Sequence, residues 1–414
     1  MKRSLLKQMC NEWRGNLWVI AGLTVVSSAV WILCAQLYGI LRPTFYPMGF
    51  EDEGLYIMSV HDVPEGESNK SGQDSKALAD RNGDLRALLK EFRENPNVEV
   101  AGLSMNGTPY QRSWYASLWL AEEPDTTGYS GYTKFMTPEM VRVLGLRSST
   151  GKSTEELEAV LRKGEVLITT RPGVDEEVAE SGGYLPAAMI GKKVTGEAGG
   201  TSEYVVGDVV DVMRESMFYR PMGTIIKPLA EENPYVVGEI AVRVKPGMGE
   251  AFMDDFESKG EMQERGCIYL SAPDKVTYRR MSAEQSEIVS TRLYVSLICF
   301  IFIIIFLGLL GSFWFRVQQR TGEIAIRKVC GASRRAIFHR IIGEGMILLL
   351  VATALAAAAA WTIIFKSDPG EDHMPALIIE LLTFVIVSVC VVVSLWWPAR
   401  RAMRIEPAIA IKDE

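Results

Sequence analysis

The sequence predicts an α-helical membrane protein with four transmembrane helices and one large extracytoplasmic mixed α/β domain. Three observations carry this. Four apolar blocks, 17–41, 293–315, 345–365 and 376–397, are each about as long as a helix that crosses a bilayer; three hold no charge and the fourth only Glu380. Basic residues gather at one side of these blocks: Lys2, Arg3, Lys7 and Arg14 before the first, Arg316, Arg320, Arg327, Lys328, Arg334, Arg335 and Arg340 between the second and third, and Arg400, Arg401 and Arg404 after the fourth. The long segment between the first and second blocks, 42–292, carries 28 basic and 41 acidic residues, and the short loop 366–375 is acidic too.

Lys and Arg are held on the cytosolic side of a membrane, so both termini and the 316–344 connector are expected in the cytosol, with 42–292 and 366–375 outside. The net charge of −7 over 414 residues therefore combines a basic inner face with an acidic outer one. Cysteine usage agrees: Cys10 and Cys330 fall inside, Cys34, Cys299 and Cys390 in spans, and Cys267 alone outside. One external thiol makes no intrachain disulfide, so a domain of about 250 residues rests on its own core.

The elements follow in order. Residues 1–16 place Leu5, Leu6, Met9 and Trp13 opposite the basic residues, as in a cytosolic interfacial helix. The uncharged run 17–41 is longer than a signal-peptide core and reads as an anchor. A strand at 55–60, a polar loop at 65–74, a helix with Leu78, Leu85, Leu88, Leu89 and Phe92 at helical spacing, and a strand at 98–103 make one β-α-β unit. A strand at 238–244, the Pro246-Gly247 turn, a helix at 248–259 and a strand at 267–270 make a second. The two halves are expected to pair into one split sheet around an inserted subdomain, 113–235, with strands at 166–169 and 204–210 and one clear helix, 138–146. A polar helix at 282–291 leads straight into the second span, which would let a tilt of that span move the outer domain. The small-residue run 352–360 allows close helix packing, within a bundle or between protomers.

Motifs for chemistry are sparse, and no catalytic, cofactor-binding or metal-binding residue is assigned. His61, His339 and His373 are scattered, with neither zinc spacing nor a Ser/His pairing. The run 145–153, GLRSSTGKS, imitates a phosphate loop, but its first glycine is one residue too far from the Gly-Lys-Ser for a Walker A motif. It reads instead as a turn capping a following helix at Ser153, with Glu156 completing a capping box. Glu344 and Glu380 are carboxylates at or within spans, which is costly without a reason. Glu344 is placed near the interface, hydrated or paired with Arg340, and Glu380 near the outer end, reaching water.

The organising stretch is the connector. Residues 323–329, EIAIRKV, read as a short helix with Ile324 and Val329 on one side; Gly331 is placed to end it in the left-handed conformation and Ser333 to cap the next. Arg320, Glu323, Ile324, Ile326, Arg327, Lys328, Gly331, Ala332 and Ser333, followed by Glu344, resemble the signature of FtsX-like/MacB-like permeases of ABC transporters. The tail 398–414 is similar to that family's, and TPEMVRVLGL from Thr137, GEVLIT from Gly164 and VRVKPG from Val242 resemble its periplasmic core, which has a porter-like part and an insertion. The resemblance implies a non-catalytic permease subunit in the bacterial cytoplasmic (inner) membrane, with ATP and Mg bound by a separate ATPase subunit in trans. Arg320, Glu323, Ile324, Arg327, Lys328, Gly331, Ala332 and Ser333 would then couple to that ATPase. It also implies a homodimer, or a heterodimer with a similar permease, surrounded by membrane lipids, a possible extracytoplasmic partner protein, and no nucleic acid. The work outside would be export of a drug, peptide or lipoprotein, or, alternatively, FtsX-like regulation of a cell-wall hydrolase; a membrane sensor or receptor is the reading from a different class.

Overall fold

The computed structural model describes residues 13–62, 75–111, 113–123, 125–172, 183–198, 200–229, 238–258, 264–266, 268–367 and 374–403, with Asp175 and Val178. The interfacial helix expected over 1–16, the polar loop 65–74, Cys267 and most of the tail lie wholly or largely outside the described residues. The chain divides into two units, Arg42–Ile288 and the remainder.

The first unit is a mixed α/β domain built on a twelve-stranded sheet. The chain enters it after α1 (Trp13–Leu41) and forms β1 (Leu55–Asp62), α2 (Ser75–Glu94), β2 (Val98–Met105), β3 (Tyr115–Leu120), β4 (Thr127–Met136), α3 (Met140–Leu144) and α4 (Thr154–Arg162). It continues through β5 (Val166–Thr169), β6 (Lys193–Thr195), β7 (Glu203–Val210), β8 (Thr224–Pro228), β9 (Glu239–Val244), α5 (Gly249–Ser258), β10 (Glu264–Arg265), β11 (Ile268–Leu270) and β12 (Asp274–Lys275).

At one end of the sheet the order is β11-β1-β9-β2, every neighbour antiparallel. β1 and β2 are thus parallel with β9 between them, and β9 and β11 are parallel with β1 between them: two interleaved split β-α-β units. Alternate residues leave these strands on opposite faces. Tyr56, Met58, Val60, Ile240 and Val242 join a core with Leu85, Leu88, Leu89 and Phe92 of α2 and Phe252 and Phe256 of α5. Leu55, Ile57 and Ala241 join a second core with Met140, Val141 and Leu144 of α3. Gly102 of β2 faces α3, where an added Cβ would stand 2.9 Å from Met140 Cγ, so the missing side chain admits that helix.

The middle of the chain closes on itself. β4 pairs with β3, β3 with β6, β6 with β7, β7 with β5, β5 with β8, and β8 returns to β4 in parallel. This six-stranded ring leaves no open edge of its own. Its interior is filled from every strand, by Leu118, Tyr129, Ile168, Val194, Val206 and Ile225 among others. β4 is shared with the split sheet, pairing with β2 at Ser104↔Met136 and Met105↔Phe135. Only two of these six strands, β5 and β7, are visible as sequence patterns. The helix expected over 138–146 is the shorter Met140–Leu144, and α4 is a second helix in this region. Ser153 caps α4 with the full capping box, its Oγ accepting from Glu156 N and the Glu156 carboxylate accepting from Ser153 N. Ser153→Ala is expected to destabilise the domain by about 1 kcal/mol. The hydrogen bonds to Ser153 hold the Glu156 carboxyl below its usual pKa. The box therefore contributes above the unfolded-state pKa and is lost as pH falls through the lower folded one, which acid titration of the Glu156→Gln variant against wild type would read.

The second unit holds four helices long and apolar enough to cross a membrane: α1, α6 (Val276–Gln319), α8 (Arg334–Ser367) and α9 (Met374–Ala402), with the short α7 (Thr321–Val329) between α6 and α8. α6 is one helix of 44 residues, beginning in the α/β unit and continuing as the second span. Leu23 and Val30 of α1, Leu309 and Phe313 of α6, Leu349 and Ala352 of α8, and Val387 and Val391 of α9 form the bundle core. At Gly345 an added Cβ would meet Leu395 Cδ1 at 2.4 Å, so α8 and α9 approach through a residue without a side chain.

Candidate functional site

The connector is α7, a four-residue turn and the start of α8. Gly331 has φ +90°, its N–H donates to Lys328 O at 3.0 Å, and the N–H of Ala332 donates to Arg327 O at 3.0 Å. These two bonds satisfy the last carbonyls of α7 in the Schellman pattern, which requires a left-handed residue where glycine stands. Ser333 then opens α8, its Oγ accepting from Ala336 N at 3.2 Å. The helix pair is thus written into three consecutive residues.

Burial gives α7 two different sides. Ile324, 7% exposed, packs with Ile337 of α8 and Ala402 of α9, backed by Val317, Ala332 and Ile341. Val329 does not share that side: five residues on, it is rotated about 140° around a helix of 3.6 residues per turn and is 65% exposed. The expectation that Ile324 and Val329 lie together is corrected. Ile326, also exposed, leaves a second apolar side chain uncovered. Lys328 Nζ donates to Met403 O at 2.6 Å, tying the end of α7 to the end of α9. Arg401 lies over the Trp314 ring at 5.2 Å, tying α9 to the end of α6.

A chain of alternating charge runs from the second span into α7. Arg316 Nη2 and Arg320 Nη1 both donate to Glu344 Oε1, at 2.9 and 2.6 Å. Arg320 Nε stands 3.9 Å from Glu323 Oε2, and Arg327 Nη2 donates to Glu323 Oε1 at 2.6 Å. A cavity of about 60 Å³ lies among these groups, with Arg340 on its wall. Glu344, on α8, is therefore the shared acceptor for Arg316 in the last turn of α6 and Arg320 just beyond it, which accounts for a carboxylate there. Arg316 lies in the last turn of α6, and Arg320 lies just past its end, where it leads into α7. Glu380 is half-buried on α9 and makes no hydrogen bond or ion pair among the described residues. Lys152, in the imitation phosphate loop, donates to Gly207 O at 2.8 Å and stands 3.6 Å from the buried Asp208 carboxylate, so its ammonium closes a turn onto β7.

Residues 295–407 match the FtsX-like permease C-terminal family. The macrolide export ATP-binding/permease proteins MacB of Escherichia coli (strain K12) and Shigella flexneri are each 25% identical over 185 residues, which is 43% of this chain and 28% of theirs. The match thus spans little more than a quarter of those relatives. Among solved structures, a domain of a putative permease from Porphyromonas gingivalis is 18% identical over 55% of this chain and 94% of its own, with a TM-score of 0.33. The periplasmic region of MacB from Actinobacillus actinomycetemcomitans is 10% identical over 55% and 93%, with a TM-score of 0.31. The family match takes in the connector and the three spans around it, and the MacB relatives match on the permease side, so over this region the chain is similar to FtsX/MacB-like ABC permeases.

Proposed function

We propose that this chain is the transmembrane subunit through which an ATPase lying outside these 414 residues moves the α/β domain, in the service of exporting a drug, peptide or lipoprotein. The observation that carries the reading is the two-sided α7. One side is locked to α8 and α9 by Ile324 and to the spans by the arginine–glutamate chain, while Ile326 and Val329 remain uncovered. A helix held this way transmits a push instead of absorbing it. Displacement of α7 would pass from Arg320 to Glu344 and from Glu344 to Arg316 of α6, a single helix whose first turns belong to the α/β unit. There Glu284 of α6 accepts from Ser216 Oγ and Met217 N at 2.9 and 2.7 Å, so those turns are fastened into the domain. The relatives' name, macrolide export, favours an organic molecule as cargo.

In this proposal the connector and both termini face the cytosol. Cys330 is exposed beside the turn. A membrane-impermeant thiol reagent applied to cells with an accessible outer face is expected to leave Cys330 unmodified until the membrane is permeabilised; modification from outside would reverse the orientation. Purified from its native membrane in mild detergent, the chain is expected to bring with it a subunit carrying nucleotide-binding motifs, identified by peptide mass. Recovery with a kinase or regulator instead would support a sensor and overturn the transporter reading.

A further inference from the structure

The cavity of about 60 Å³ in the connector is bounded by the last turn of α6, by α7 and by the first turns of α8. At about 10–15 Å³ for one water, it has room for about four water-sized groups, the size of a phosphate. Four guanidinium groups line it, those of Arg316, Arg320, Arg327 and Arg340, against two carboxylates, Glu323 and Glu344. Glu344 Oε1 is shared by Arg316 and Arg320, and Glu323 stands between Arg320 and Arg327. Arg340 faces the same two carboxylates together with Arg320 and Arg327. Among the described residues the cavity therefore carries two more positive charges than negative ones. Arg316, Arg320 and Arg327 are 17%, 25% and 34% exposed, so water screens this surplus less than it would on an open surface, while the groups remain within reach of a ligand.

The depth of the cavity is that of lipid headgroups. Phe313, Leu348 and Leu395 close it toward the apolar core of the bundle, and Phe313 and Leu348 lie one helical turn from Arg316 and Glu344. Trp314 follows Phe313 on α6, and Trp396 and Trp397 follow Leu395 on α9, with Trp396 46% and Trp397 66% exposed. Two further guanidinium groups lie over these rings, Arg401 over Trp314 at 5.2 Å and Arg400 over Trp396 at 5.4 Å. Tryptophan gathers where hydrocarbon meets headgroups, and the basic residues beside it stand in the headgroup layer.

A surplus of guanidinium groups at this depth selects for phosphate. The planar guanidinium fork donates in pairs to phosphate oxygens, and a basic pocket between transmembrane helices is a seat for acidic headgroups. The whole headgroup matters as well as its phosphate. A choline headgroup brings a cation with its phosphate and leaves the surplus as it was, whereas a glycerol headgroup brings none, so its lipid offsets one of the two charges.

We propose that this cavity seats the phosphodiester of an anionic phospholipid, its oxygens accepting from Arg327 of α7 and Arg340 of α8. An anion shared between these two helices draws them together, so binding stabilises the membrane unit. The inference rests on the four long helices crossing a membrane and not on the transmission proposed for α7, so it is tested without an ATPase.

The test uses the full-length chain, purified in a neutral detergent and freed of lipid, then titrated separately with dioleoylphosphatidylglycerol, dioleoylphosphatidylcholine and inorganic phosphate. Binding is read from native mass spectra and from the thermal unfolding midpoint. Phosphatidylglycerol is expected to bind saturably and raise the midpoint, and the other two to do neither at the same concentrations. Arg340→Gln is expected to weaken the binding of phosphatidylglycerol about tenfold. Arg335→Gln removes the same charge from an exposed position on the same helix and is expected to leave binding unchanged. If Arg340→Gln does not fold, Arg327→Gln on the short α7 carries the same expectation. Equal effects of the two lipids would reveal general solvation by lipid, equal weakening by Arg335→Gln and Arg340→Gln a diffuse attraction of charge, and saturation by inorganic phosphate a site for soluble anions. Each of these, or undiminished binding by the cavity variant, would overturn the proposal.

Discussion

A Gly331→Val variant is expected to insert at the wild-type level and to lose most of its stimulation of the ATPase partner proposed above. Gly331 sits at φ +90°, and an added Cβ there would meet nothing within 4 Å, so the penalty arises in the backbone and not from a clash. The left-handed conformation costs an L-residue roughly 1–2 kcal/mol, and more when the side chain is β-branched. The turn escapes that cost by abandoning the two bonds from Gly331 N and Ala332 N, and Ser333 is then no longer placed to cap α8. Asparagine tolerates this conformation, so Gly331→Asn is expected to keep most of the stimulation. Glu323→Lys acts on the same helix by charge, placing a cation between Arg320 and Arg327 where a carboxylate now serves both. Steady-state hydrolysis by the reconstituted complex checks all three, and full stimulation by the valine and lysine variants would reduce the connector to a loop that only sets orientation.

Replacing Glu344 by alanine is expected to have the largest effect on the membrane unit itself. Its Oε1 accepts from two guanidinium groups, and all three side chains are mostly buried, at 16%, 17% and 25% exposed for Glu344, Arg316 and Arg320. Removing one partner of a fully buried ion pair costs roughly 3–5 kcal/mol. Residual access to water at these three groups brings the expected loss to about 2 kcal/mol, still enough to loosen α6 from α8. The unfolding midpoint in detergent should fall, and hydrolysis should no longer respond to the state of the α/β domain. A Glu344→Ala/Arg320→Gln double variant should recover part of the lost stability, because it removes one of the two stranded cations; strict additivity of the two changes would show that no such coupling exists.

Much of this architecture is legible in the sequence. Uncharged runs of bilayer length have few other physical explanations, and Leu85, Leu88, Leu89 and Phe92 at helical spacing mark the side of α2 that enters the core. The split sheet follows from two such β-α-β patterns. The closed ring of strands did not show, because its signals were overwritten by packing demands. β4 reads TGYSGYTKFM, with Gly131 in the middle, yet that glycine is required because an added Cβ would lie 2.4 Å from the Gly223 carbonyl carbon of the segment entering β8. Low strand propensity there records a close backbone approach.

At the connector, Gly331 and Ser333 were readable because backbone geometry leaves few residues that suit those positions. The sides of α7 were harder. Ile324 and Val329 are both apolar, and only the positions of α8 and α9 decide that one is buried and the other uncovered. Glu344 was recognisable as costly, but its partners come from a different helix.

The uncovered side of α7 is the surface proposed to meet the ATPase. The most direct measurement places a photoreactive benzoylphenylalanine at position 329, which is 65% exposed, and in a separate protein at position 324, which is 7% exposed, in cells that make the whole transporter. Illumination is expected to join position 329 to a nucleotide-binding subunit and to leave position 324 joined only to this chain. If position 329 captures lipid alone while the ATPase still co-purifies, the ATPase docks elsewhere and the connector does not carry its motion.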